Sequence, residues 1–186
     1  MLVGFGGVAK SGKDTAASAL ADQRGYEVVA FVDPLKKLAA ACNPLIQCDR
    51  RHEGRGGVRY NDLVADVGYT RAKDVVEVRR FLQDLGTEGC RTVFGDDIFV
   101  NTVLGDMYPG VDYAVSSVRF PNELAAIKAS RGLSIWVQRP GFYPINDHAS
   151  DNSVTADDFD VTVHNDGTIE DLARRVFEAV DVLSLV

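Results

Sequence analysis

Apolar runs alternate with amphipathic stretches along most of the chain, and this alternation predicts its secondary structure. Short apolar runs are typical of buried strands, whereas apolar positions three and four apart are typical of helices. The predicted strands are Leu2–Gly6, Tyr26–Phe31, Tyr113–Val118, Leu133–Gln138 and Phe159–His164. The predicted helices are Lys13–Gln23, Pro34–Ala41, Val75–Val93, Asp97–Met107, Asn122–Ser130 and Ile169–Leu183. Strands that alternate with helices imply βαβ units, so we expect an α/β fold with a mainly parallel sheet flanked by helices.

Residues at the ends of these elements refine the prediction. Asp33 and Thr168 precede predicted helices, and both residue types are good helix N-caps. A break is expected at Gly86, inside the predicted helix Val75–Val93. The polar, glycine- and proline-containing stretches Asn43–Arg59 and Gly141–Thr155 are expected to be loops. Within the first, the arginine-containing loop Arg50–Arg59 is a candidate lid.

Composition limits the class of protein. The chain has 186 residues, of which 46% are apolar and 25% charged, which is typical of one globular domain. We expect a single domain over residues 1–186, with a mobile lobe around residues 43–74. No run is long enough to span a membrane and no secretory leader is recognisable, so a cytoplasmic protein is expected.

Net charge and cysteine content limit the class of protein further. The net charge of −7 argues against a general nucleic-acid binder, although a local positive site for nucleotides remains compatible with it. The spacing of Cys42, Cys48 and Cys90 matches no zinc pattern. We therefore expect reduced, buried thiols.

The segment Gly7–Thr15 carries the most specific signal in the chain. It reads GVAKSGKDT and fits the pattern G-x-x-x-x-G-K between a predicted strand and a predicted helix. Glycines allow the backbone amides to surround phosphate oxygens, and the start of the helix adds its positive end. Lys13 can reach the β- and γ-phosphates of a nucleotide. The candidate ATP-binding residues are Gly7, Lys10, Ser11, Gly12, Lys13, Asp14 and Thr15.

Asp14 departs from the usual pattern, because Ser or Thr commonly ligates Mg²⁺ at that position. An acidic side chain there could hold Mg²⁺ through water, or orient the second substrate. The alternative is an acid that only stabilises the positive end of the helix.

Two further segments offer groups for phosphate. Arg79 and Gln83 are four residues apart and share a helix face, which Thr87 and Arg91 continue. A guanidinium and an amide on one face suit a phosphate and a base edge, although an ordinary solvated face remains the alternative. Arg119 follows the strand Tyr113–Val118, at the end where α/β sheets bind ligands, and could also pair with Glu123.

Five segments together resemble the deoxynucleoside monophosphate kinases of tailed bacteriophages. They occur in the same order as in that family and cover most of the chain, from Gly7 to about Leu172; the resemblance is weakest across Asn43–Asp74. The segments read GVAKSGKDT, RRFLQDLGTE, VRFPNE, WVQRPG and VHNDGTIEDL.

The resemblance implies a three-layer P-loop kinase fold that transfers the γ-phosphoryl group of ATP to a deoxynucleoside 5′-monophosphate, with Mg²⁺. Lys13 and Arg119 would be catalytic. The resemblance assigns the acceptor nucleotide to Lys36, Arg79, Gln83, Gly86, Thr87, Phe99 and Glu123. Phe99 would lie near the base, where the family tends to have tryptophan. A phage origin would place the enzyme in the host cytoplasm, and a monomer and a homodimer are equally compatible with the sequence.

Two positions depart from the family. Ser117 stands two residues before Arg119, where the family commonly has an acid, so Asp14 could replace its function. The segment Asp147–Asp151 resembles a family loop whose role the sequence does not reveal, and a metal site there is disfavoured because it holds a single histidine.

Three other functions remain open. A P-loop kinase could act on another small phosphorylated acceptor, such as dephospho-coenzyme A or a phosphorylated alcohol. A P-loop ATPase could drive motion or remodel nucleic acid, although the strand Tyr113–Val118 lacks a clear acid at its end. A nucleotide-binding regulator without catalysis would not need both Lys13 and Arg119.

Overall fold

The computed structural model describes residues 1–47, 57–143 and 153–183, which form two compact units. The sheet unit comprises Met1–Phe31 and Val100–Val186, and the helical unit comprises Val32–Phe99. In chain order the elements are β1 (Leu2–Gly6), α1 (Lys13–Arg24), β2 (Glu27–Val29), α2 (Asp33–Cys42), β3 (Leu45–Ile46), β4 (Val58–Arg59), α3 (Tyr60–Val67), α4 (Tyr69–Ala72), α5 (Val76–Gln83), a π-helical segment (Asp84–Arg91), α6 (Thr92–Phe94), α7 (Ile98–Gly105), β5 (Tyr113–Val118), α8 (Pro121–Ala129), β6 (Leu133–Gln138), a 3₁₀ turn (Ala156–Asp158), β7 (Val161–His164) and α9 (Ile169–Leu183).

The sheet unit is built on five strands whose described pairings are all parallel. Their order is β2-β5-β1-β6-β7, so β1 lies in the centre between β5 and β6. Gly6 pairs with Val118 on one side and with Trp136 on the other. The segments that follow β1, β5 and β6 therefore leave the sheet at the same edge, where open α/β folds bind ligands.

Helices cover both faces of this sheet. On one face, Leu20 of α1 and Val176 of α9 belong to a core cluster with Val3 and Phe5 of β1. The opposite face carries a second cluster, to which α7 and α8 contribute Val103 and Ile127. Full burial of one such side chain stabilises the fold by about 1.5–3 kcal/mol. The expected three-layer α/β arrangement is confirmed.

The helical unit has its own core, and it departs from the predicted helix break. Residues 76–94 form one continuous helical stretch, in which α5 passes into the π-helical segment without ending at Gly86. A Cβ at Gly86 would lie 2.9 Å from Cδ2 of Leu35, so a side chain there would meet α2. Gly86 is therefore explained by close packing of two helices, and the prediction of a break was wrong.

Two other local predictions were wrong. Val32 occupies the N-cap position of α2 without a side-chain cap, and Asp33 is the first helical residue. The Asp33 carboxylate instead accepts a hydrogen bond from Nζ of Lys36 at 2.7 Å, one turn further on. The expected loop 43–59 includes the antiparallel pair β3–β4, because Ile46 joins the core of the helical unit. Residues 48–56 of that loop, which hold most of the candidate lid, lie outside the described residues.

The Thr168 cap is confirmed. Its Oγ1 accepts the backbone N–H of Asp171 at 3.2 Å, and the Asp171 carboxylate accepts the backbone N–H of Thr168 at 3.2 Å. This reciprocal pair satisfies two donors at the start of α9. All other predicted elements are present, with ends within two residues of those expected.

The cysteines are only partly as expected. Cys90 is a buried free thiol, and burial, with a smaller contribution from Cys42, raises its pKa, which keeps it protonated and unreactive. Cys42 is also free but exposed, so the expectation of burial was wrong for it, because it ends α2 on an outer turn. Cys48 lies outside the described residues. Among the described helices, none is long and apolar enough to cross a membrane.

Candidate active site

The loop that follows β1 adopts a conformation suited to phosphate. Gly7, Lys10 and Gly12 have positive φ angles of 141°, 64° and 103°. The backbone N–H of Ser11 donates to the carbonyl oxygen of Val8 at 3.2 Å, which closes a tight turn. Gly12 is the N-cap of α1, so the loop leads directly into the positive end of that helix.

Lys13 is the first residue of α1, directly after this loop. Its side chain is buried, and its Nζ donates to the carbonyl oxygen of Val8 at 3.3 Å. An ammonium held against the loop backbone adds a full positive charge to the partial charges of the amides. The loop amides and the Lys13 ammonium therefore lie together at the carboxyl end of β1, which is the arrangement that phosphate-binding loops have.

Two glycines of the loop are fixed by close packing. A Cβ at Gly7 would lie 2.5 Å from the carbonyl oxygen of Val137 and 2.6 Å from Oγ of Ser11. A Cβ at Gly12 would lie 2.4 Å from Nδ2 of Asn165. A side chain at Gly7 would displace backbone, and a side chain at Gly12 would displace the Asn165 side chain.

We expect Gly7→Ala to lower the stability of the sheet unit by roughly 2 kcal/mol or more and to abolish tight ATP binding, because the new methyl group meets backbone. Gly25→Ala is the matched control: Gly25 also has a positive φ of 74°, but a Cβ placed there would have no described atom within 4 Å. That control should lose about 1–2 kcal/mol and keep its ATP affinity. Thermal unfolding and calorimetric ATP titration measure both, and equal ATP affinity in the two variants would contradict this account.

The structure adds two residues that sequence reasoning missed. Nδ2 of Asn165 donates to the carbonyl oxygen of Ser11 at 2.8 Å, and a guanidinium nitrogen of Arg139 lies 3.5 Å from the carbonyl oxygen of Lys10. Asn165 directly follows β7, so its polar side chain at the end of a buried strand was the available signal. Asn165 fixes the loop backbone from the far end of the sequence.

Other predicted residues of the sheet unit lie in or near the segments that follow β1 and β5. Asp14 is exposed in the first turn of α1, followed by half-buried Thr15. Arg119 is half-buried directly after β5. Oε2 of the buried Glu123 accepts the backbone N–H groups of Arg119 at 2.7 Å and of Phe120 at 3.2 Å. Glu123 therefore fixes the backbone that carries Arg119.

Two serine hydroxyls stand out at this edge of the sheet. Ser11 and Ser117 are 0% and 7% exposed, and within the described residues neither Oγ has a hydrogen-bond partner. A buried polar group without a partner costs about 1–3 kcal/mol, so such groups commonly meet water, an ion or a ligand.

The remaining predicted site residues lie in the helical unit. The structure places Lys36 on α2, Arg79 and Gln83 on α5, Gly86 and Thr87 in the π-helical segment, and Phe99 on α7. π-Helical turns are rare in proteins, but those that occur are often found at functional sites. Gln83 and Thr87 are half-buried and Gly86 is buried.

Arg79 and Arg91 do not form the common polar face that their spacing predicted. Nε and Nη2 of Arg79 both donate to the carbonyl oxygen of Lys73, at 3.3 Å and 3.2 Å. Arg91 is buried, donates to the carbonyl oxygen of Asp96 at 2.6 Å and lies 5.3 Å from the centre of the Phe99 ring. Phe99 is itself part of the core of the helical unit, so its stacking role stays a prediction.

One expectation about metal sites falls beyond the described chain. Asp147, His148 and Asp151 lie outside the described residues. Elsewhere, over residues 1–47, 57–143 and 153–183, no group of three or more His, Cys, Asp and Glu side chains could hold a metal ion.

Comparison with known proteins identifies the family. A sequence model of the family described as deoxynucleotide monophosphate kinase matches residues 49–176, which is more than half of the chain. The chain belongs to the deoxynucleotide monophosphate kinase family. It is therefore an enzyme that transfers a phosphoryl group, as the resemblance implied.

Viral relatives agree with this assignment. A putative deoxynucleotide monophosphate kinase of Acanthamoeba polyphaga mimivirus is 28% identical over 196 residues, which cover 97% of this chain and 96% of the relative. The deoxynucleotide monophosphate kinase of enterobacteria phage T4 is 27% identical over 143 residues, which cover 70% of this chain and 57% of the relative.

Solved structures similar to this chain include kinases of other substrates. Shikimate kinase from Acinetobacter baumannii, in complex with shikimate, aligns with a TM-score of 0.49 at 12% identity, over 99% of this chain and 93% of that one. Dephospho-CoA kinase from Campylobacter jejuni aligns with a TM-score of 0.43 at 12% identity, over 98% and 96%. At these scores neither bears on the substrate of this chain.

Proposed function

We propose that this enzyme transfers the γ-phosphoryl group of ATP to the 5′-phosphate of a deoxynucleoside monophosphate, giving ADP and the deoxynucleoside diphosphate. The observation that carries the proposal is the glycine-containing loop Gly7–Lys13, with its positive φ angles, directly after the central strand of a parallel sheet in a member of this kinase family. Nucleotides are the proposed partners, and the proposed compartment is the cytoplasm of the cell, or of the host if a phage encodes the chain. The proposal includes no nucleic-acid or membrane partner; a homodimer remains a prediction that native mass spectrometry can test.

The donor nucleotide is assigned to the sheet unit. The amides of the loop, Lys10 to Thr15 among them, would surround the β- and γ-phosphates of ATP, and Lys13 would follow the charge that moves onto the leaving group. Arg119, whose backbone Glu123 holds by a 2.7 Å hydrogen bond, would neutralise charge on the transferring phosphoryl group. The protein then contributes alignment and positive charge, with little acid–base chemistry.

The acceptor nucleotide is assigned to the helical unit. Arg79 and Lys36 would bind its phosphate, Gln83 and Thr87 its sugar or base, and Phe99 would support the base region. Gly86 keeps α2 close to the π-helical segment, since a Cβ there would lie 2.9 Å from Leu35. These assignments divide the two substrates between different parts of the sequence.

Mg²⁺ fits the chemistry of the residues present. Mg²⁺ is bound mainly by substrate phosphates and water, with few protein ligands, which agrees with one exposed carboxylate at Asp14. The buried Oγ of Ser117 has no partner among the described residues, and it would accept a hydrogen bond from a water molecule bound to the ion. When bound, the ion would neutralise charge on the phosphates.

Removal of divalent metal should therefore abolish turnover. With excess EDTA we expect ADP formation to fall to background, and titrated Mg²⁺ should restore it, while thermal unfolding without nucleotide stays unchanged. Asp14→Asn should raise the Mg²⁺ concentration for half-maximal rate by about tenfold, as loss of one charged contact implies. Turnover that persists in EDTA would contradict the metal requirement.

Two other functions remain distinguishable by their products. A kinase for another phosphorylated acceptor would form ADP only when that acceptor is supplied. A P-loop ATPase would form ADP with no acceptor at all. The family match favours neither, because the family is described by its deoxynucleotide monophosphate acceptor.

Arg79→Ala separates the acceptor site from the donor site. We expect the KM for the monophosphate to rise by about tenfold or more, and the KM for ATP to change by less than about twofold, because one charge-assisted phosphate contact is lost. Steady-state kinetics with each substrate varied in turn measure this split. Equal changes in both KM values would remove Arg79 from the acceptor site.

A further inference from the structure

Two lysines of the helical unit share one aromatic ring. Nζ of Lys36 lies 5.1 Å from the centre of the Tyr69 ring, and Nζ of Lys73 lies 4.7 Å from it. Both ammonium groups are therefore within cation–π range of the same side chain. They lie no more than about 10 Å apart, which is roughly one Debye length at 0.1 M salt, so they repel each other.

Arg79 connects this pair of lysines to the predicted acceptor residues. Two of its five N–H groups donate to the carbonyl oxygen of Lys73, at 3.3 Å and 3.2 Å. This bond ties the end of α4 to α5 and fixes the backbone from which the Lys73 side chain extends. Lys36, Tyr69, Lys73 and Arg79, which we name the Tyr69 cluster, are thus connected by observed contacts.

The charge of the Tyr69 cluster is unusual for this protein. It holds three cations, and Asp33 provides a carboxylate at 2.7 Å from Nζ of Lys36. The chain as a whole has a net charge of −7. All four members of the cluster are half-buried, which weakens screening by salt. Such a concentration of positive charge is expected where a doubly charged anion binds.

We propose that Lys73 binds the 5′-phosphate of the acceptor nucleotide together with Lys36 and Arg79, and that Tyr69 positions both lysines for it. This inference rests on the proposed function and adds two residues to it. A phosphate monoester carries close to two negative charges at pH 7, since its second pKa is about 6. Its charge is opposite to that of the two lysines and the arginine of the Tyr69 cluster.

The contacts of Tyr69 favour a phosphate over a base at this place. The ammonium groups of Lys36 and Lys73 lie 5.1 Å and 4.7 Å from the centre of its ring, so the ring already makes cation–π contacts. A stacked base would have to displace at least one of them. A planar carboxylate would balance only one charge, whereas the phosphate dianion balances two.

Lys73→Gln tests the proposal directly, with Lys37→Gln as the matched control. Lys37 follows Lys36 on α2, but its side chain is exposed and is not part of the Tyr69 cluster. The best acceptor among dTMP, dGMP, dCMP and dAMP is titrated calorimetrically without ATP, and steady-state kinetics follow. We expect Lys73→Gln to raise the Kd and KM of the monophosphate by about tenfold or more. The KM of ATP should change by less than about twofold, and Lys37→Gln should alter neither.

Tyr69 is tested by two substitutions that differ in the ring. Tyr69→Phe keeps the aromatic face that attracts the ammonium groups and should keep the monophosphate KM within about twofold of the wild type. Tyr69→Leu removes that face and should raise the KM several-fold, with kcat less affected. Equal KM values in the two variants, after both are shown to fold by thermal unfolding, would overturn the positioning role.

The outcomes separate this inference from the proposed function. If the wild type phosphorylates a deoxynucleoside monophosphate but Lys73→Gln binds it normally, the inference alone is wrong. If Lys73→Gln weakens ATP and monophosphate equally, Lys73 acts only through folding, and the inference is again wrong. If the wild type neither binds nor phosphorylates any of the four monophosphates, the inference and the proposed function fail together.

Discussion

Lys13→Ala should lower kcat by about 10³-fold or more while the protein remains folded, because one ammonium stabilises charge that develops during transfer. Lys13 is 6% exposed and its Nζ donates to the loop carbonyl of Val8 at 3.3 Å. Removal of a mostly buried cation also removes its desolvation cost, so the melting temperature should change by only a few degrees. Quenched-flow or coupled measurement of ADP formation gives kcat.

A second variant tests whether position or charge matters at this site. Lys13→Arg keeps the positive charge but replaces a compact ammonium by a wider, planar guanidinium. We expect Lys13→Arg to recover less than a tenth of the lost activity, because the side chain is buried with its Nζ 3.3 Å from the carbonyl oxygen of Val8, which leaves little room for a guanidinium. The exposed Lys37→Ala is the control for loss of a lysine on the surface. Near-normal turnover in folded Lys13→Ala would contradict a catalytic role of Lys13 and its loop.

Arg119→Ala should lower kcat by roughly 10³-fold, the size of effect found when an arginine that stabilises a transferring phosphoryl group is lost. Arg119→Lys should recover only part of this, since an ammonium cannot make the paired hydrogen bonds of a guanidinium. The KM values for both nucleotides should change far less than kcat. The measurement is single-turnover transfer from γ-labelled ATP under saturating substrate.

Glu123 provides a structural control for this prediction. Its carboxylate accepts the backbone amides of Arg119 and Phe120, so Glu123→Ala leaves two donors without that partner. We expect a loss of about 1–3 kcal/mol in stability together with a smaller fall in kcat than in Arg119→Ala. If Arg119→Ala loses stability but keeps its kcat, Arg119 is structural and its catalytic role is wrong.

Sequence periodicity could predict most of the fold, because strands and helices of this class are determined by local patterns. Leu2–Gly6, Tyr113–Val118, Leu133–Gln138 and Ile169–Leu183 were predicted with the bounds that the structure has. The π-helical segment could not be predicted in this way, since its residues have an ordinary helical pattern. Gly86 in this segment packs against Leu35 of α2, and a contact between two separate helices is not visible in a local pattern.

The candidate site could be proposed from sequence where its chemistry lies in one continuous segment. The glycines and lysine of Gly7–Lys13 predict a phosphate loop without help from the rest of the chain, and the structure gives this loop the expected positive φ angles; its binding of ATP stays a prediction. Asn165 was missed because its bond to the Ser11 carbonyl joins residues 154 positions apart. Tyr69 and Lys73 were missed for a similar reason, since their link to Lys36 depends on how α2 and α4 pack.

The central claim is tested most directly by one assay of ADP formation. Mg·ATP is incubated with dTMP, dGMP, dCMP or dAMP, with their ribose counterparts, and with no acceptor, using wild type and Lys13→Ala. The account predicts ADP and deoxynucleoside diphosphate in equal amounts with at least one deoxynucleotide, and neither product with Lys13→Ala. ADP that forms at the same rate without any acceptor, or no product with all four deoxynucleotides, would contradict it.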